Sequence, residues 1–172
     1  MMAVSLLGCA WGADDVLAEV RVKAEAGDAV SQELLGHIYG IGQFVPQDYA
    51  EAARWTRKAA EQGSAEAQFS LGLMYGTGDG VPKDAVEAVK WYRKAADQGN
   101  ADAQYNLGVM YDNGEGVPKD AVLAHAWFNI AGANNHEEAR KNLVIVEKEM
   151  SSGQKAEATK RARELFERLP KQ

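Results

Sequence analysis

The sequence is poor in cysteine, proline and histidine, and it contains no long apolar run. Its 172 residues include one cysteine, Cys9, four prolines and three histidines. A single cysteine excludes an intramolecular disulfide and a metal site built of several cysteines. No apolar run approaches the roughly 20 residues that a helix needs to span a bilayer, so we expect no transmembrane segment.

Positive charge is also scarce. Lysine and arginine together number 19 against 25 aspartates and glutamates, which gives a net charge of −6 at pH 7. A negatively charged chain is repelled by phosphate backbones and by anionic lipid surfaces. We therefore expect no nucleic-acid partner.

Residues typical of catalysis or metal binding do not fall into a known constellation. His37, His125 and His136 lack a second histidine at the spacing of a zinc helix. The sequence Ser-Gly-Gln-Lys at 152–155 fits the S-x-x-K motif of serine β-lactamases, but the companion S-D-N and K-T-G motifs are absent. We interpret Ser152 as a helix-capping serine. The sequence predicts no enzyme, with no catalytic residue, cofactor or metal.

The first twelve residues, MMAVSLLGCAWG, are apolar and uncharged. Small residues at Ala10 and Gly12 are typical of a signal-peptidase site before Ala13, although the usual basic start is missing. We interpret residues 1–12 as the remnant of a signal peptide and predict a periplasmic or secreted protein. A cytoplasmic protein with an apolar extension is the alternative. The Leu-Leu-Gly-Cys sequence also resembles a loose bacterial lipobox, so a lipid anchor at Cys9 stays open.

The dominant feature of the sequence is a repeat of 36 residues. Residues 28–62, 64–98 and 100–134 align with one another without a gap. Each unit holds two stretches with apolar residues at helical spacing, and such a period is typical of stacked helical repeats. The sequence therefore predicts an all-α solenoid of antiparallel helix pairs. Its parts are a signal remnant (1–12), an N-terminal capping helix (13–26), repeat 1 (27–62), repeat 2 (63–98), repeat 3 (99–134), and a C-terminal half-repeat with a capping helix (135–172).

The first helix of the second unit shows how each unit is expected to pack. Ala67, Leu71, Met74 and Tyr75 recur at helical spacing and form one apolar stripe. Gly72 recurs in the other units, although a glycine inside a helix costs about 1 kcal/mol relative to alanine. Its recurrence predicts close approach of a neighbouring helix.

The second helix of the unit has a clear start, inner face and end. Asp84 is the predicted N-cap, and Glu87 is expected to complete a capping box. Trp91 recurs as Trp55 and Trp127, which we interpret as core residues. We expect Lys90, Arg93 and Lys94 to face solvent, and Gly99 to close the helix in the left-handed conformation, with Gly63 and Asn135 as its counterparts.

The C-terminal residues are expected to cap the solenoid. A further first helix should cover residues 135–150, and Ser151 with Gln154 predicts a capping box at the start of a last helix that reaches about Leu169. The charged surface of that helix is typical of a polar end repeat. Ile130 takes a position that is exposed in the other units, so we expect the terminal helices to bury it.

The pattern A-x-x-x-L-G-x-x-Y, then G-x-G-V-P-x-D, then W-x-x-x-A-A-x-x-G resembles the Sel1-like repeat, a relative of the tetratricopeptide repeat. The first unit departs from the pattern at Phe44, where glycine is usual, which puts the conformation of that loop in doubt. The resemblance implies a right-handed superhelix that serves as an adaptor for protein complexes. It also implies, for many bacterial members, export to the cell envelope.

In stacked helical hairpins the first helices usually line the concave face. Opposite the apolar stripe, the candidate partner-binding residues are Glu33, His37, Glu66, Ser70, Leu73, Asp102, Asn106 and Val109, with Phe69 and Tyr105 at the edge. A partly apolar face with acidic flanks suits a peptide or partner helix with basic flanks.

The leading interpretation is a non-catalytic protein-binding adaptor. A peptidoglycan- or carbohydrate-binding module is the alternative and would need exposed rings at Phe69 and Tyr105. A β-lactamase-type hydrolase is a third, and it would depend on Ser152.

Overall fold

A computed structural model describes residues 13–169. Within this range the regular secondary structure is α-helix alone, and short turns and loops connect the helices. The helices are α1 Ala13–Glu25, α2 Ala29–Ile41, α3 Tyr49–Glu61, α4 Ala65–Thr77, α5 Ala85–Asp97, α6 Ala101–Asn113, α7 Ala121–Ala133, α8 Glu137–Glu149 and α9 Ser152–Phe166. The all-α prediction is confirmed. The predicted signal remnant and the lipid anchor at Cys9 lie outside the described residues.

The helices pack as consecutive pairs. Helices α2 and α3, α4 and α5, and α6 and α7 form the three units, and each unit packs on the next. Helix α1 packs on α2 as the second helix of a half-unit, and α8 packs on α7 as the first helix of another. The chain is therefore an α-solenoid. Between residues 13 and 169, no helix is both long and apolar enough to cross a membrane.

Side-chain caps fix the start of each second helix. Asp48, Asp84 and Asp120 each accept two backbone N–H groups of the following turn, which confirms Asp84 as an N-cap. The predicted reciprocal bond from Glu87 is wrong, because the backbone N–H of Asp84 already donates to the carbonyl of Tyr75 at 2.8 Å. Glu87 pairs with Lys90 instead.

The ends of the second helices are set by residues with positive φ. Gly63 and Gly99 have φ values of 97° and 91°, and Asn135 holds the same position at 68°. Asparagine tolerates this region better than most residues with a Cβ, so the prediction is confirmed for all three.

The doubtful loop of the first unit keeps the conformation of the others. Phe44 has φ 67°, close to 71° at Gly80 and 68° at Gly116. The backbone of the first unit therefore follows the repeat despite the change of residue.

Close packing between the two helices of a unit explains the recurrent glycine. A Cβ added at Gly72 would lie 2.6 Å from Cδ1 of Tyr92, and one at Gly108 would lie 2.5 Å from Cδ1 of Phe128. Both distances are too short for carbon atoms, so the predicted close approach is confirmed. The tryptophans Trp55, Trp91 and Trp127 are all buried, as predicted.

A ladder of buried side-chain amides runs through the units and was not predicted. One glutamine from each first helix donates to a carbonyl of the preceding helix and accepts an N–H from the end of its own unit's second helix. The glutamines are Gln32, Gln68 and Gln104, their acceptors are Ala24, Ala60 and Ala96, and their donors are Gln62, Gln98 and Asn134. Each glutamine therefore holds three consecutive helices together.

Replacing Gln104 by methionine is expected to lower the free energy of unfolding by about 1–3 kcal/mol, because the carbonyl of Ala96 loses its side-chain donor and the amide of Asn134 loses its acceptor. Methionine matches the length and flexibility of glutamine, so little packing is lost. Urea unfolding followed by circular dichroism measures the change. Asn106→Ala on the same helix is the control and should stay within about 0.5 kcal/mol. Equal stability of Gln104→Met and the unmodified protein would show that the ladder contributes nothing.

Arginines of the second helices bind tyrosines of the next unit. Arg93 donates to the Tyr111 hydroxyl at 2.7 Å, and its guanidinium lies 4.8 Å from the centre of the Trp127 ring. The prediction that Arg93 faces solvent is therefore wrong, because its long stem packs along the surface and places the charge over the face of the Trp127 ring and beside the Tyr111 hydroxyl. Arg21 and Arg57 bind Tyr39 and Tyr75 in the same way.

The last helix departs from the repeat. Helix α9 packs on α7 rather than beside α8. Only two residues separate α8 from α9, whereas seven residues separate α4 from α5, so the chain lacks the loop that returns a second helix to its partner. Ala162 and Leu165 of α9 pack in the cluster that buries Ile130, which confirms that prediction.

The cap of α9 lies one residue before the serine of the S-x-x-K motif. Ser151 and Gln154 form the predicted capping box, with bonds of 3.3 Å and 3.0 Å. Ser152 is the exposed first residue of the helix, so its interpretation as the capping serine is wrong. The extended backbone of Ser151 (φ −68°, ψ 160°) is the geometry that a cap requires.

Candidate partner-binding surface

The ten candidate residues lie on the three first helices, and we call the surface that they form the first-helix face. Glu33 and His37 belong to α2, Glu66, Phe69, Ser70 and Leu73 to α4, and Asp102, Tyr105, Asn106 and Val109 to α6. The side chains of His37, Glu66, Leu73 and Asp102 are exposed, and the other six are half-buried.

The structure brings four of these candidates together in one groove between α2 and α4. Glu33, His37, Glu66 and Ser70 line this open groove, whose volume is about 430 Å³. The volume falls within the range of about 300–1,000 Å³ that is typical of ligand sites. The other six candidates, on α4 and α6, do not line it.

The apolar lining of this groove was missed by the sequence analysis. It consists of Val30, Leu34, Ile41, Ala67 and Met74, and the polar side chain of Thr56 also lines the groove. Val30, Leu34 and Ile41 were overlooked because only the polar residues Glu33 and His37 of the first unit were assigned to this face. The signal that could have revealed them is that the equivalent positions of the later units hold polar residues.

A second apolar groove lies on the other side of α2. It has a volume of about 300 Å³ and lies between α1 and α2, with Phe44 at its edge. Leu34 and His37 line both grooves. Apolar surface is therefore accessible on both sides of α2.

The groove between α2 and α4 carries negative charge at its rim. Among residues 13–169, the ionisable side chains that line it are Glu33, Glu66 and His37, and no lysine or arginine of this range does so. Glu33 accepts a hydrogen bond from the Ser64 hydroxyl, and Glu66 accepts one from Asn100 at 3.3 Å. Such a rim attracts a cationic ligand.

The aromatic candidates Phe69 and Tyr105 pack against other rings and are half-buried. Phe69 packs on Tyr92 with ring centres 6.0 Å apart, and Tyr105 packs on Phe128 at 5.8 Å and stacks on His136 at 4.3 Å. Burial raises the pKa of Tyr92 to about 12, so its phenol stays neutral and serves packing. Both candidate rings are half-buried, and Tyr105 contacts two other rings, whereas stacking on a sugar requires an exposed ring face.

The three histidines lie in different parts of the structure and have different neighbours. Nε2 of His125 lies 3.0 Å from Glu147, and Nδ1 of His136 accepts the N–H of Ala139 at the start of α8. His37 lies on the exposed surface of α2. In the part of the chain that the structure describes, no three His, Cys, Asp or Glu side chains come close enough to hold a metal ion.

Antiparallel helix pairs that stack on one another with a fixed period define the class of helical-repeat solenoid proteins. Within that class the chain belongs to the Sel1 repeat family, which matches residues 29–64, 65–100 and 101–136. These segments have the 36-residue period of the sequence analysis, so the family resemblance is confirmed. Sel1 repeat proteins are generally protein-interaction modules and non-catalytic scaffolds.

Three solved structures show the same architecture. A protective antigen with an SLR fold from uropathogenic Escherichia coli strains is 36% identical, with a TM-score of 0.83 over 91% of this chain and 34% of its own. This chain thus spans about a third of that antigen's length. A Sel1 repeat protein from Oxalobacter formigenes is 43% identical, with a TM-score of 0.68 over 74% of this chain and 96% of its own. Cysteine rich protein B of Helicobacter pylori is 25% identical, with a TM-score of 0.58 over 77% of this chain and 100% of its own. Among curated proteins, none matches this chain.

Proposed function

We propose that this chain is a non-catalytic adaptor that binds a protein or peptide partner through the first-helix face. The observation that carries the proposal is the groove between α2 and α4, which joins apolar walls to an acidic rim. Membership of a family of protein-interaction modules supports it. The apolar residues 1–12 support a place in the bacterial envelope or outside the cell for this adaptor.

A helical or extended segment of the partner suits this face better than a small polar ligand. Beyond the groove, the first-helix face carries half-buried candidates on α4 and α6, and Asp102 on α6 adds an exposed negative charge. Grooves of this kind take an amphipathic segment through apolar anchors, while charged flanks set its orientation. The partner segment is accordingly apolar on one side and basic at its flanks.

Charge reversal on the first-helix face tests the proposal. The double substitution Glu66→Lys and Asp102→Lys is expected to reduce capture of the partner about ten-fold, because two exposed attractions of about 0.35 kcal/mol each become repulsions of similar size, a total change of about 1.4 kcal/mol. Affinity capture of the tagged protein from its native envelope, quantified by mass spectrometry, measures the change.

The control for this test carries the same change of charge elsewhere. Glu149→Lys with Glu167→Lys places two lysines at the exposed C-terminal ends of α8 and α9, which carry none of the ten candidate residues. Capture should be nearly unchanged in this variant. Equal capture by both double variants would contradict binding through the first-helix face.

A further inference from the structure

The three units serve as internal controls for one another, and the first unit differs at the base of its groove. Thr56 occupies the position that Tyr92 holds in the second unit and Phe128 in the third. Each of these side chains lies against the recurrent glycine of its own unit. The base of the groove is therefore a small hydroxyl side chain only in the first unit.

The side chain above that base also differs. Glu33 of the first unit stands where the second unit has Phe69 and the third has Tyr105. Phe69 packs on Tyr92 in the second unit, and Tyr105 packs on Phe128 in the third. In both later units a pair of aromatic rings thus fills the space between successive first helices. The first unit has neither ring, and the groove of about 430 Å³ lies there.

Three apolar residues of α2 at the rim are exposed in the first unit. Val30, Leu34 and Ile41 have 76%, 43% and 51% of their surface exposed. Their counterparts are polar in the other units, namely Glu66, Ser70 and Thr77 in the second and Asp102, Asn106 and Asn113 in the third. Exposed apolar surface weakens solubility and commonly marks an interaction site.

We propose that the groove between α2 and α4 receives one large apolar side chain of the partner, an aromatic ring in preference, with basic residues on either side of it in the partner's sequence. The inference rests on the proposed function and specifies its anchor, which is the partner side chain that enters the groove. In the second unit, the rings of Phe69 on α4 and Tyr92 on α5 occupy the equivalent space. The partner's ring would occupy that space in the first unit. The basic flanks follow from Glu33 and Glu66 at the rim and from the absence of lysine and arginine in the lining.

Two small molecules of matched shape test the anchor without knowledge of the partner. Phenethylamine carries a phenyl ring and a positive charge, and hydrocinnamate carries the same ring and a negative charge. Methyl NMR titration of the full chain is expected to show shifts at Thr56, Ile41 and Met74 with phenethylamine, and affinity at least about five-fold weaker for hydrocinnamate, which corresponds to about 1 kcal/mol of charge interaction.

A variant copied from the second unit closes the groove. Thr56→Tyr places against Gly36 the ring that Tyr92 already places against Gly72, and it should abolish the methyl shifts caused by phenethylamine. Thr159→Tyr is the matched control, since it adds the same ring on the exposed surface of α9 and should leave the shifts unchanged. If Thr56→Tyr does not fold, Val30→Gln with Ile41→Thr makes the rim polar without adding charge and should weaken binding of phenethylamine at least about five-fold.

The outcomes separate this inference from the proposed function. Equal affinity for the two molecules, shifts elsewhere on the chain, or full binding by Thr56→Tyr would overturn the anchor. So would a dimer in analytical ultracentrifugation that Val30→Glu disrupts, because the groove would then be occupied by a second copy. Partner capture that is lost in the Glu66→Lys, Asp102→Lys variant but kept in Thr56→Tyr would leave the adaptor function standing without this anchor.

Discussion

Replacing Trp127 by alanine is expected to lower the free energy of unfolding by about 3–5 kcal/mol. Trp127 is 0% exposed and packs in the largest apolar cluster, together with Leu107 and Ile130. That cluster also takes residues from α5 and α9, so the cavity would open where four helices meet. Urea unfolding followed by circular dichroism measures the loss.

Two further variants identify the cause of the loss at Trp127. Trp127→Phe should cost much less than the alanine variant, because the indole N–H is buried without a hydrogen-bond partner within residues 13–169 and phenylalanine removes only volume. Trp91→Ala should cost less than Trp127→Ala, since Trp91 retains 8% exposure and belongs to a smaller cluster. A loss below about 1 kcal/mol for Trp127→Ala would contradict a shared core between the units.

The period of the sequence was sufficient to predict the helices and their pairing. Gly72 and Trp91 recur at fixed offset, and a recurring residue must meet the same surroundings in every unit of a solenoid. Its role can therefore be deduced once for all units. The close approach at Gly72 and the burial of Trp91 were predicted in this way and are confirmed.

Polar side chains were harder to predict because their burial depends on partners that are distant in sequence. The charge of Arg93 and its position on the helix predict a solvent-facing side chain. In the folded chain, however, its guanidinium donates a hydrogen bond to the Tyr111 hydroxyl. Gln104 belongs to the same class, since its acceptor and its donor come from two other helices. Hydrophobic periodicity contains no information about such pairs.

The groove was missed for a different reason. It arises from side chains that are too small, since Thr56 replaces an aromatic ring at its base. The absence of a large side chain in one unit can be recognised only by comparison with a unit that has the large side chain at the same position. Agreement among the units thus predicts the fold, while disagreement among them points to the groove that we propose as a binding site.

Replacing Gly80 by alanine is expected to lower the free energy of unfolding by roughly 2–4 kcal/mol, as the sum of left-handed strain and overpacking. Gly80 has φ 71°, and a Cβ there would overlap the carbonyl oxygen of Tyr49 at the start of α3. That carbonyl belongs to the backbone of the preceding unit, so it cannot rotate away as a side chain would. Gly116 meets Ala85 in the same way and should respond similarly.

Phe44 provides the control for Gly80, because it holds the same left-handed conformation with a full side chain. Phe44→Gly removes strain of about 1–2 kcal/mol but adds chain entropy to the unfolded state, so stability should change by less than about 1 kcal/mol. Thermal unfolding of Gly80→Ala and Phe44→Gly side by side measures both effects. Similar small changes in the two would contradict the steric argument, whereas a large loss confined to Gly80→Ala would show that the glycine is required where one unit packs on the backbone of the preceding unit. The left-handed φ alone, which Phe44 also adopts, would then not explain the requirement.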